Sequence, residues 1–357
     1  MVKHKEILAS ISSYAGNRFD LVQAGGGNSS VKLDNDQMLI KSSGISLSEV
    51  THDSGFVCVN YSYIRDYLAT TNFDVLSKKQ REQNADKAMQ DCMISASGKP
   101  SIETFLHALL DTYTLHTHPI SVNILTAQEN WKSTLLELFP DAACVPYQTP
   151  GIDLALALIK ELTAFEIEYG YKPKVIFLQN HGLIVSSSNE ADILSLTNSV
   201  SLKIENQLVM NLSRYRRVSQ LQTLFSKLGE PNIKLLCSDD KTIEEALSTE
   251  SQAPSIWPFC PDTLIYCGVH PVFLSSDEDS IAIASYQERY QEFPKVLVID
   301  NTVYFCAKSL KLTKDAQDLF RFHLLVTQHS EKTMQRLTMD EVAYLSNWDA
   351  EKYRQEV

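Results

Sequence analysis

His116 and His118 are separated by one residue within a run, residues 113–118, that has the composition of a strand. Successive strand side chains alternate faces, so both imidazoles point the same way and can share one cation, with Thr117 directed elsewhere. Two hydrogen-bonded histidines at a sheet edge would carry the same spacing, and a third ligand is what separates the two readings. His181 supplies one. Gln179-Asn180-His181-Gly182 follows a predicted buried strand over residues 175–178, where a loop can present a side chain into a cleft. A histidine beside glycine also serves in plain turns. Three imidazoles favour zinc, whereas two with a carboxylate would suit the Fe(II) of a metal oxygenase.

Glu103 stands near the start of a predicted helix, residues 100–110, that leads into the histidine strand. Helix and strand run back over comparable lengths, ~10 Å and ~16 Å, so the carboxylate can lie close to both imidazoles. A lone glutamate there also complements the helix macrodipole. A divalent ion beside a carboxylate does Lewis-acid chemistry coupled to proton transfer, helped if burial raises the Glu103 pKa toward neutrality. His107, one helical turn on, reads as a residue that packs or supports the ligands from behind.

A second element is the Gly-rich run Ala24-Gly25-Gly26-Gly27-Asn28, which opens a predicted hairpin, residues 29–33 and 37–41 around Asp34-Asn35-Asp36. Antiparallel pairing brings Gly27 and Asn28 next to the exit, Ser42-Ser43-Gly44, so two loops share one rim. Glycine lets backbone N–H groups approach a ligand and hydroxyls add donors, which suits a small anion such as phosphate. The Walker pattern GxxxxGK[ST] is absent.

The elements that must position these residues alternate helix and strand, which predicts a mixed α/β domain over residues 1–215. Residues 3–15 have helical apolar spacing, 57–61 read as a strand and 79–93 as a polar surface helix. Asp153 is placed to cap a Leu/Ala-rich helix over 154–168 that ends before Gly170, and Asn189 with Asp192 opens a long helix to about residue 212. A helical connector over 216–254 is expected next, punctuated by Pro254, Pro258 and Pro261, then a smaller α+β region over 255–357. There, residues 295–306 read as strand, Asp300-Asn301 turn and strand, followed by an amphipathic helix near 313–334 and a Thr338/Glu341 capping box. No internal repeat or low-complexity tract is evident.

Composition bounds the partners. The 357 residues carry 44 acidic and 32 basic side chains, a formal charge of −12, which disfavours a nucleic-acid or membrane surface. Seven cysteines without a CxxC pair suggest reduced thiols and a cytoplasmic protein. Neither a signal peptide nor a membrane-spanning run of about 20 apolar residues is seen.

In order, AGGGNSS (24–30), KSSG (41–44), PSIET (100–104), HTHP (116–119) and QNHG (179–182) resemble the class II aldolase/adducin family over about residues 5–215. PFCPDTLIYCG (258–268) and EVAYLSNWDAEKY (341–353) are similar to the aldolase part of rhamnulose-1-phosphate aldolase/dehydrogenase proteins. The resemblance implies a three-layer α/β/α domain around a mixed, largely antiparallel sheet. It implies His116, His118 and His181 as ligands of Zn2+ or another divalent metal, Glu103 as the catalytic carboxylate, and Gly27, Asn28, Ser43, Gly44 and Ser101 as the phosphate pocket. Ile102 stands where the family has a second serine. The implied reaction is aldol cleavage of a ketose or ketose phosphate, with Tyr147 a candidate acid on the aldehyde side. Sugar-phosphate 4-epimerases of the superfamily carry aspartate at the Glu103 position, and adducin-like domains assemble without turnover. A homo-oligomer, such as a tetramer, is also implied.

Overall fold

The computed structural model describes residues 1–95, 98–247, 256–330 and 334–346. Pro254 and the end of the EVAYLSNWDAEKY string lie outside the described residues. The chain divides into two compact units, Met1–Leu212 and Ser213–Val357.

Unit 1 opens with helix α1 (Val2–Gly16) and the hairpin β1 (Asn28–Lys32) and β2 (Gln37–Lys41). Then come β3 (Phe56–Asn60), α2 (Tyr61–Thr70), α3 (Lys78–Asp91), α4 (Thr104–Leu109), β4 (Tyr113–Thr117), α5 (Ile120–Thr126) and α6 (Trp131–Leu138). It closes with β5 (Ala142–Val145), α7 (Ile152–Tyr169), β6 (Val175–Leu178), β7 (Gly182–Ser187) and α8 (Glu190–Leu208). The seven strands form one sheet in the order β3-β2-β1-β4-β7-β6-β5, antiparallel except for the β5–β6 pair. Alternate strand residues feed two cores. Ile64, Phe105, Leu158 and Ile184 pack with α2, α3, α4 and α7 on one face, and Leu8, Val122, Leu183 and Ile204 with α1, α5, α6 and α8 on the other. The fold is therefore the expected three-layer α/β/α arrangement around a mostly antiparallel sheet.

Two helices differ from their sequence reading. The helix expected over residues 100–110 starts only at Thr104, because Ser42 bridges Pro100 and the Ser43 amide donates to Lys99 O, keeping that segment extended. The long helix expected to reach residue 212 stops at Leu208, where Val209 turns left-handed and the Glu205 carboxylate accepts the Leu212 amide. For α7, Gly151 is the residue before the helix and Asp153 sits in its first turn, paired with Arg81 at 2.8 Å.

Unit 2 contains α9 (Ser213–Lys227), β8 (Lys234–Cys237), α10 (Lys241–Leu247), α11 (Pro261–Cys267), β9 (Val272–Phe273), α12 (Ser280–Tyr290), β10 (Val296–Ile299), β11 (Thr302–Ala307), α13 (Leu310–His329) and α14 (Met339–Ser346). Its sheet runs β8-β11-β10-β9. The segment expected as a helical connector thus contributes a paired strand, β8, to the same sheet as the β10–β11 hairpin. Among the described residues no helix is long and apolar enough to cross a membrane.

Candidate metal centre

His116 lies on β4, fully buried, and its Nδ1 is 3.1 Å from Leu183 O on the neighbouring β7. A carbonyl only accepts, so Nδ1 carries the proton and Nε2 of the neutral ring offers a lone pair. His118 follows the strand end, where its amide donates to Leu21 O. His181 projects from the β6–β7 turn, in which Asn180 takes φ +54. The three Nε2 atoms converge: His116 to His118 is 3.1 Å and His116 to His181 is 3.3 Å. Glu103 Oε1 approaches from the residue before α4, 3.2 Å from His116 Nε2 and 3.5 Å from His181 Nε2. All four donor atoms lie within 4.8 Å of one another.

These spacings fit a shared cation. Two nitrogens about 2.05 Å from a tetrahedral ion stand about 3.3 Å apart. Lone pairs of neutral imidazoles crowded to that distance would otherwise repel, so the donor set matches a divalent metal. Close backbone approach makes the cluster possible: a Cβ on Gly182 would lie 2.2 Å from Thr117 O, and one on Gly26 would lie 2.7 Å from His118 Nδ1.

Burial pushes His118 down to about 3, and the neighbouring His116 and His181 push the same way. Burial acts to raise Glu103, but the adjoining His116 and His181 rings outweigh it, holding the carboxyl well below its usual range. The expected rise toward neutrality is thus reversed, and Glu103 is a carboxylate at neutral pH.

The rim residues gather around this cluster in part. Asn28 pairs with His116 across β1–β4, is fully buried, and leaves its Nδ2 without a hydrogen-bond partner while its Oδ1 accepts from Ser29 N. Gly27 takes φ +74 against His116 O. Ser43 and Gly44 are exposed, and the Ser43 amide bond to Lys99 O joins their loop to the Ser101 segment. Ser101 Oγ accepts from the Glu103 amide at 3.3 Å. Tyr147 is tied to the His181 turn through its backbone, its amide donating to Gln179 Oε1 at 3.0 Å, and is 55% exposed.

One residue escaped the sequence reading. Lys41, the last residue of β2, is buried and donates to Ile45 O at 2.7 Å and Ser42 O at 3.3 Å, closing the loop that carries Ser43 and Gly44. Burial lowers its pKa, while Glu103 and Glu49 pull it up. The signal was a lysine inside the quoted KSSG string. His107, expected to pack or to support the ligands from one turn away, is fully buried, its Nδ1 2.7 Å from Ser30 Oγ and its Nε2 without a partner.

A family profile described as the class II aldolase and adducin N-terminal domain matches residues 6–201, more than half of the chain. Among solved structures, the N-terminal class II aldolase domain of a conserved protein from Thermoplasma acidophilum is similar at 21% identity, covering 56% of this chain and 92% of that one with a TM-score of 0.48. A sugar-phosphate aldolase from Thermotoga maritima is similar at 16% identity, covering 58% and 94% with a TM-score of 0.41. An L-fuculose 1-phosphate aldolase is similar at 15% identity, covering 58% and 85% with a TM-score of 0.40. Comparison with curated protein sequences finds no match. With four donors converging as described and the profile spanning the whole segment that supplies them, the chain belongs to the class II aldolase and adducin family.

Proposed function

We propose that unit 1 is a metal-dependent aldolase-type lyase that cleaves a ketose or ketose phosphate reversibly, with zinc as its ion. The observation that carries this reading is the convergence of three imidazoles and one carboxylate within 4.8 Å. His116, His118 and His181 would hold the ion through Nε2. The ion would supply Lewis-acid stabilisation of the negative charge that develops on the ketose oxygens. Glu103, ionised and beside the ligands, would take the proton from the carbon next to the carbonyl in the condensation direction and deliver it to the enediolate carbon when the C–C bond breaks in cleavage.

Gly27, Asn28, Ser43, Gly44 and Ser101 form the anion end of the pocket. The free Nδ2 of Asn28 is a donor waiting for a ligand, and the Lys41 ammonium places positive charge behind the Ser43–Gly44 loop. Ile102 replaces one hydroxyl donor, so a phosphate is held by fewer side chains than paired serines would give. Tyr147 is assigned the proton on the aldehyde oxygen, its backbone anchored to the turn that carries His181. A homo-oligomer, with a tetramer as one form, belongs to the same reading and is tested by sedimentation.

Screening of ketose 1-phosphates and free ketoses for aldehyde release, with and without chelator, tests the proposal. Chelator-sensitive cleavage is expected; metal-independent release, or stereochemical inversion without cleavage, would favour another chemistry such as the 4-epimerase. A chain without stoichiometric divalent metal would favour the adducin-like assembly role. His118→Ala should lose metal and turnover together. Glu103→Gln should keep metal and lose about 10²-fold or more in kcat; wild-type turnover in that variant would remove Glu103 from its role.

A further inference from the structure

The half of unit 1 that carries the three histidines has the strand order β4-β7-β6-β5, and unit 2 has the order β8-β11-β10-β9. The pairings agree one by one. β4–β7 and β8–β11 are antiparallel, as are β7–β6 and β11–β10, while β6–β5 and β10–β9 are parallel. The intervening helices agree as well: α5 and α10 each have 7 residues, α7 and α12 each bridge the parallel pair, and α8 and α13 follow the hairpins with 19 and 20 residues. Each helix also packs on the matching sheet face. α5 and α8 share one core of unit 1, α10 and α13 share one core of unit 2, and α7 and α12 lie in the opposite cores.

Local chain geometry agrees at residue level. Helix α7 ends at Tyr169, left-handed Gly170 follows, and Pro173-Lys174-Val175 enters β6. Helix α12 ends at Tyr290, left-handed Gln291 follows, and Pro294-Lys295-Val296 enters β10 at the same spacing. Aligning α5 with α10 residue for residue, and reading back through β4 and β8, puts Cys237 at the position of His116 and Asp239 at that of His118. Strand register gives the same answer independently. His116 faces Ile184 and Cys237 faces Tyr304, each partner being the third residue of its strand.

The hairpins then differ in one respect. Pairing of Leu178 with Gly182 leaves Gln179, Asn180 and His181 in the turn, whereas Ile299 with Thr302 leaves only Asp300 and Asn301. His181 therefore has no counterpart. At the end of β8 stands a cation of another kind. Arg214 of α9 donates to Ser238 O at 2.7 Å, is ion-paired with Glu244 and, at 3.7 Å, with Asp239, and faces the Cys237 thiol.

We infer that unit 2 is an internal duplicate of the histidine-bearing half of unit 1, in which the metal positions are lost and the Arg214 guanidinium holds the strand end where unit 1 gathers its ligands. Among the described residues, unit 2 gathers no second group of converging donors like that of unit 1. The comparison of charges rests on the metal reading of unit 1; the duplication does not.

The test rebuilds the lost site in the full-length chain by Cys237→His, Asp239→His and Arg214→Ala, with one histidine inserted between Asn301 and Thr302. Zinc is counted by plasma mass spectrometry after dialysis, with circular dichroism reporting the fold. Wild type should hold one equivalent and the rebuilt chain two. A folded rebuilt chain with no more zinc than wild type, or a wild type already holding two, overturns the inference. If the rebuilt chain does not fold, Arg214→Met decides by hydrogen exchange: residues 234–247 should exchange about tenfold faster or more with zinc content unchanged, and unaltered exchange there overturns it. A wild type binding no zinc would end the reading of unit 1, while the difference between rebuilt and wild-type chains would still test this one.

Discussion

At the scale of single residues, His107 acts by its charge state and Gly26 by its size. Burial pushes His107 down to about 3, so the folded chain refuses a proton that the unfolded chain accepts near pH 6.5. The stability this represents is full above about pH 6.5 and is lost as pH falls toward 3, with a slope of about 1.4 kcal/mol per unit for one proton. His107→Asn should therefore flatten the acid limb, removing about 2 kcal/mol of the stability difference between pH 7 and pH 5 measured by urea unfolding. An unchanged slope would deny that His107 is buried neutral. Gly26 acts by size. Its missing Cβ leaves room for the His118 ring, so Gly26→Ala should tilt that ring and weaken zinc binding about tenfold or more in a competition titration, with the fold retained.

At the scale of elements, the end of α1 is tied to the middle of α8 by Arg18. It pairs with Asp20, both nearly fully buried, and donates to Tyr14 Oη at 2.6 Å and Asn198 Oδ1 at 2.7 Å. Arg18→Met leaves the Asp20 charge without its partner and should cost about 3 kcal/mol or more in denaturant unfolding; a change below half of that would mean Asp20 finds another cation. Elements whose apolar period is strong, such as α7, β6 and β7, were legible because burial and periodicity point the same way. The start of α4 was not, since the bridge from Ser42 to Pro100 comes from a strand far away in sequence and overrides the local helix signal. The same contact is what sets Glu103 at the mouth of α4 beside the histidines. The three histidines were legible because strand alternation and turn position are local rules, whereas the placing of Glu103 and the closure of the Ser43–Gly44 loop by Lys41 depend on how residues 42–45 fold back.

Across the whole molecule, the profile covers the segment that supplies the donors, and unit 2 repeats the architecture of half that segment without its histidines. Duplication was hidden from the sequence because strands keep only apolar pattern, and the shared strings are as short as Pro-Lys-Val. Zinc should stabilise the folded chain by mass action, by about 2.7 kcal/mol at a hundredfold excess over its dissociation constant. The melting temperature of wild type should rise with added zinc, and that of His118→Ala should not; equal responses would place the ion elsewhere. Anomalous diffraction from crystals of the zinc-loaded chain probes the centre most directly. One peak about 2.0–2.1 Å from the Nε2 atoms of His116, His118 and His181 is predicted; a zinc peak bound away from these three imidazoles, or none, would contradict it.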